Sequence, residues 1–253
     1  MPQARVNDVD LFYEEFGAGD PLLLIHGMME TGRTYAKVAL SLCNSYRVIV
    51  PDLRGYGRSR PPQRAFSPDF YARDAADLAA LLRALQITGA RVIGAGDGGE
   101  VALLLAIQAP DLVRSVVAID VTGAFPQALL AVLPRIGAWA NDPNTVMLAR
   151  RSNAIREYGV EGMQGIWAGW KAAVRAIIAA GGDISLRQAG QIACPTLIIN
   201  QAGDALNTPE MTNALVQAIP QADLRLLRNV DTRAYDTHRY WLNDEVLRWL
   251  AEH

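Results

Sequence analysis

Several things are scarce in this 253-residue sequence, and each scarcity narrows its function. Cysteine occurs twice, at Cys43 and Cys194, far apart and without His or further Cys at ligand spacing. This excludes a disulfide framework and leaves no zinc-type ligand set; both cysteines read as small apolar core residues. Charge of one sign is lacking: 24 Lys and Arg face 26 Asp and Glu, a net charge of −2, with no basic cluster. Nucleic acid and anionic membrane surfaces are therefore not expected as partners. No apolar run reaches membrane-spanning length. The first residues, MPQARVNDVD, hold no basic region leading into an apolar one, so no signal peptide is expected and the expected location is cytoplasmic. There is no internal repeat and no low-complexity stretch, and no metal or cofactor is expected. Histidine occurs only three times, at His26, His238 and His253, which matters below.

What is present is an apolar, alternating chain. With 51% hydrophobic residues it can bury one large core. DLFYEEFG (10–17) alternates like a half-exposed strand, whereas PLLLIHG (21–27) and YRVIVPDL (46–53) are continuous apolar runs suited to parallel strands buried on both faces. Residues 67–85 have helical spacing, with Ser67 placed to cap and Pro68 at the first position. ARVIGAG (90–96), a helix over 99–108, VRSVVAID (113–120), CPTLIINQ (194–201) and ADLRLLRN (222–229) continue the alternation, and 239–252 reads as a closing amphipathic helix. The fold class is α/β: a doubly wound, mostly parallel sheet with helices on both faces. Between Val121 and Asp183 no strand pattern occurs, only helical material bearing Trp139, Trp167 and Trp170. The expected organisation is a core of residues 1–120 and 184–253 with a helical cap, 121–183, inserted over the carboxyl edge of the sheet. The three tryptophans either pack that cap onto the sheet or line a largely apolar pocket beneath it.

The segments LLLIHGMMETG, VIVPDLRGYGRS, VIGAGDGGEVALLLAIQAPDLVRSVVAID and ACPTLIINQAGD carry a resemblance along essentially the whole chain. Their order and spacing resemble the α/β-hydrolase superfamily. The central stretch is similar to biphenyl-hydrolase-like (amino-acid-ester) serine hydrolases, whose nucleophile elbow carries Ser followed by Asp-Gly-Gly; Asp97-Gly98-Gly99 match that tail. The resemblance implies a backbone oxyanion hole from the amides of Met28 and Asp97, and an acid at Asp204, although an Asp in such a turn also caps backbone amides.

Two other positions depart from the pattern. The nucleophile position falls on Gly96, and the Gly-His pair that supplies the base falls on Asp231-Thr232. Thr232 cannot accept a proton near neutral pH as an imidazole does. His26 belongs to the oxyanion turn, His253 ends the sequence, and His238 lies six residues beyond the expected place. A second register, with Asp97 as nucleophile between Ala95 and Gly99, also fits the small-residue pattern, but it would lack the His that releases its ester intermediate. The incomplete triad implies a non-hydrolytic member, natural or engineered, with a capped pocket for a small apolar or ester-like molecule. The N-myc downstream-regulated proteins, with a glycine in the same elbow, are a precedent. The alternatives are an active ester or amide hydrolase with an unusual site, or a lyase or isomerase using Asp97, Asp204 or Asp231 as base. Oligomeric state is left open.

Overall fold

The computed structural model describes residues 2–136, 145–202, 207–227 and 244–253, with the backbone alone at 145–150. Eight strands form one sheet in the order β1-β2-β4-β3-β5-β6-β7-β8. The first strand, β1 (Gln3–Val6), was not anticipated: it is short and half exposed, and it pairs antiparallel with β2 (Val9–Phe16) across a tight turn where Asn7 takes φ 49. Asn tolerates that left-handed conformation better than most residues. β2 runs antiparallel to β4 (Tyr46–Pro51). From there β4, β3 (Asp20–Ile25), β5 (Ala90–Ala95), β6 (Val113–Ile119), β7 (Thr196–Gln201) and β8 (Ala222–Leu227) pair in parallel.

The continuous apolar runs have a plain cause in this arrangement. Successive side chains of a strand point to opposite faces, and both faces are covered. Leu23, Ile25, Val92, Val116 and Ile198 join one core, under α2 (Phe70–Ala84) and α3 (Asp97–Gln108). Leu22, Leu24, Ile93, Val117 and Leu197 join the other, under α1 (Ala36–Leu42) and the closing helix, which is described over 244–252. Each fully buried Leu, Ile or Val contributes about 1.5–3 kcal/mol. α2 starts later than its sequence suggests: Asp69, not Ser67, is the N-cap residue, and Pro68 lies before the helix. Both cysteines are half-buried, Cys194 packed against one core and Cys43 against the other.

Between β6 and β7 the described residues contain no strand of the sheet. They hold the short α4 (Leu129–Val132) and the long α5 (Thr145–Ala179). The two ends of this segment are stapled together. Ala124 and Asp183 form an isolated bridge, and the Gly123 carbonyl accepts the amides of Ile184, Ser185 and Leu186 at 2.9–3.0 Å. After β7, α6 (Pro209–Ala218) begins with Thr208, whose hydroxyl accepts the Met211 amide, and with Pro209 at its first position, an arrangement suited to a helix start.

Candidate functional site

Parallel strands end together at one edge, and the chain leaves that edge through turns that cannot all be filled by core residues. Here Met28 follows β3, Gly96 follows β5, Asp120 ends the β6 run and Asn207 follows β7; all four border one cavity of about 60 Å³. That is room for about five waters, or for one small group of a larger ligand. α2 contributes Tyr71, α3 contributes Asp97 and Glu100, and the segment between β6 and β7 contributes Thr122, Phe125, Ile136, Trp167 and Trp170.

The turn from β5 to α3 is sharp. Gly96 sits between strand and helix at φ 56, ψ −124, a conformation that a side chain makes costly, and Asp97 is the first helical residue. The amides of Gly99 and Glu100 return to the Gly96 carbonyl at 2.9 and 3.2 Å. The neighbouring glycines explain how helix and strand come so close: a Cβ on Gly94 would lie 2.1 Å from the Gly98 carbonyl oxygen, and one on Gly98 would lie 2.4 Å from that of Ile25.

Asp97 is anchored at the cavity by two donors. Its Oδ1 accepts the Tyr71 hydroxyl at 2.8 Å and the Trp170 indole N–H at 3.3 Å. Burial, followed by the Asp97 charge, pushes the Tyr71 phenol far above its ordinary range, so it stays a donor. Glu100 is buried and accepts the amides of Thr122 and Gly123 at 2.8 and 2.9 Å and the Ser185 hydroxyl at 3.3 Å. Burial raises its carboxyl pKa, with these three donors opposing. Asp120 holds φ 55, unusual outside glycine, and is 8% exposed.

His26 is fully buried and committed to the scaffold. Its Nδ1 faces the Gly27 carbonyl at 2.8 Å, and its Nε2 accepts the Leu53 amide at 2.9 Å, which fixes the proton on Nδ1. Burial lowers its pKa, against the nearby Asp52 and Glu30 charges. It shapes the turn before Met28 and has no lone pair left for a substrate.

Of the residues expected from sequence, the structure brings Met28, Gly96, Asp97, Trp167 and Trp170 to one cavity. Asp204, Thr232, Trp139, Asp231 and His238 lie outside the described residues. The pocket is largely apolar, as expected, with four aromatic rings in its lining, and three carboxylates, Asp97, Glu100 and Asp120, also border it. The reason is topological, since the edge where β5, β6 and α3 meet exposes polar strand ends and a first helical turn. Tyr71, Glu100, Asp120, Thr122, Phe125, Ile136 and Asn207 were missed as site residues. Asp120 alone carried a signal, as a carboxylate directly after a buried strand.

The comparisons with known proteins agree with this architecture. A family model described as the alpha/beta hydrolase fold matches residues 20–143. Serine hydrolase BPHL of Mus musculus is 40% identical over 118 residues, which is 46% of this chain and 40% of that protein. The magnesium-chelatase 30 kDa subunit of Rhodobacter capsulatus is 40% identical over 111 residues, 42% of this chain and 37% of that one. The matches thus span less than half the length of these relatives. E-2-(Acetamidomethylene)succinate hydrolase superposes over 99% of this chain and 98% of its own with a TM-score of 0.80, at 22% identity, a likeness of fold. Among the described residues no helix is long and apolar enough to cross a membrane. The chain is an α/β-hydrolase-fold protein, similar over 46% of its length to a biphenyl-hydrolase-like serine hydrolase.

Proposed function

We propose that this chain binds a small, ester-like molecule bearing an ammonium group in a capped cavity and does not hydrolyse it. The observation that carries the reading is Gly96: the turn that would lift a nucleophile toward a ligand bears no side chain and borders the cavity. Thr232 in place of the base removes the second member of a triad, and Asp204 is the acid that stays. A nucleophile and its base are of little use singly, so their joint loss argues for a scaffold without hydrolysis. The cap is 121–183, and the amides of Met28 and Asp97 form the hole that receives the ester carbonyl oxygen.

Ligand charge follows from the cavity wall. It carries Asp97, Glu100 and Asp120, and neither Lys nor Arg is among the described residues that line it. An ammonium group meets attraction from Asp97 and from the faces of the aromatic rings, each ring contact adding about 0.5–2 kcal/mol. An active hydrolase is the second reading, favoured by the hydrolases among the relatives.

The test uses phenylalanine methyl ester and its uncharged counterpart, methyl 3-phenylpropanoate, with binding read by tryptophan fluorescence. The charged ester should bind at least about tenfold tighter, remain intact, and lose its advantage in Asp97→Asn. Equal binding of the two esters would refute the ammonium reading. Release of methanol at enzymatic rates would favour the hydrolase.

A further inference from the structure

The long helix α5 is broken at one residue. At Gly159 the backbone leaves helical space for φ 71, ψ 173, a conformation open essentially to glycine alone. A Cβ there would meet nothing within 4 Å, so it is the backbone angle, and not crowding, that calls for glycine.

The two arms on either side of this break are fastened very differently. In the C-terminal arm, Ile166, Trp170, Val174 and Ile178 are buried at a spacing of four and belong to the main core. Trp170 also donates to Asp97, so this arm is tied to α3. In the N-terminal arm half of the described side chains, those of Ser152, Asn153, Arg156 and Glu157, face solvent, and only Ala154 is buried in the core. A largely exposed stretch continues through 160–165 before the buried row begins at Ile166. Its last residue, Tyr158, is half-buried and donates its hydroxyl to the Glu30 carbonyl at 3.0 Å, and its ring meets that of Tyr56 edge-on with centroids 6.1 Å apart. Burial pushes the Tyr158 phenol well above its ordinary range, so the hydroxyl stays protonated and the contact holds at any working pH.

Glu30 is part of the turn that carries Met28. Its side chain accepts the Gly27 amide at 3.0 Å, and its own amide reaches the Gly27 carbonyl at 3.3 Å. Nearby Met29 is held at φ 62, a strained conformation for a non-glycine residue. The Tyr158 contact therefore joins a half-exposed helical arm to a strained turn on the cavity wall.

We propose that residues 145–158 form a lever hinged at Gly159 and latched by Tyr158 onto the turn Gly27–Glu30, so that release of the lever loosens the Met28 side of the cavity. The C-terminal arm stays fixed while the lever moves. The inference stands whether or not a bound ester is hydrolysed.

Hydrogen exchange on the full chain tests it. In the parent protein, amides of 147–157 should exchange faster than those of 163–176, as separate cooperative units. Tyr158→Phe removes one hydroxyl and keeps the ring. It should speed exchange by about fivefold, the equivalent of one net hydrogen bond, in both 147–157 and 27–31 while leaving 163–176 unchanged. Gly159→Ala cannot keep the observed backbone angle, redirects the lever and should give the same signature. Exchange of both arms as a single unit in the parent would overturn the proposal. So would a Tyr158→Phe protein in which the lever opens and residues 27–31 do not respond.

Discussion

Substituting Gly96→Ser puts a side chain where the account says none is accommodated without cost. The residue sits at φ 56, ψ −124, where a non-glycine residue is strained by about 1–3 kcal/mol. Gly96 borders the cavity, so the new hydroxyl has room, and backbone strain is the term that dominates. Unfolding entropy of about 2.1 cal/mol/K per residue gives roughly 0.5 kcal/mol/K for a chain of this length. The expected fall in melting temperature is therefore about 2–6 °C, measured by scanning calorimetry. Ester turnover should change little in this variant, because a serine without a base is a weak nucleophile. On the proposed triad assignment, with Asp204 as the acid, adding Thr232→His supplies that base, and the double variant should turn over esters well beyond the product of the two single effects. A Gly96→Ser protein as stable as its parent would refute the strain argument. A folded double variant with no gain would refute the triad assignment.

Two further predictions concern the scaffold under the site. His26 is neutral when folded, with its pKa held below the ordinary 6.5, so the unfolded chain takes up a proton first as pH falls. Its contribution to stability is present above pH 6.5 and is lost as pH drops from there toward the depressed folded value. The melting temperature should fall between pH 7.5 and 5, and His26→Gln should be less stable at pH 7.5 but flatter with pH; an unchanged slope would contradict the assignment. The buried pair Arg64–Asp74, with side chains 2% and 1% exposed, should lose about 3–5 kcal/mol when Arg64→Met leaves Asp74 uncompensated, and the double variant Arg64→Met/Asp74→Leu should recover part of that loss in urea unfolding. Strictly additive losses would show that the pair is not coupled.

The sheet was legible because burial on both faces writes itself as unbroken apolar runs, such as Leu22 to Ile25 and Val116 to Ile119. The elbow was legible because close helix–strand approach demands Gly94 and Gly98 at fixed spacing. β1 escaped because four residues, of which only Val6 is buried, leave too little pattern; its pairing comes from the Asn7 turn. The polar side of the cavity escaped for a different reason. Tyr71 lies in an ordinary amphipathic helix, and only the packing of α2 against α3 brings its hydroxyl to Asp97. Glu100 reads as a surface residue of α3 until the loop at Thr122 and Gly123 closes over it.

The central claim is that the elbow at Gly96 holds no working nucleophile, and p-nitrophenyl acetate hydrolysis by the parent protein tests it most directly. The account predicts a rate no more than about 10³–10⁴-fold above water, the level expected of an oxyanion hole acting alone. Saturable turnover at about 1 s⁻¹ or above would contradict it.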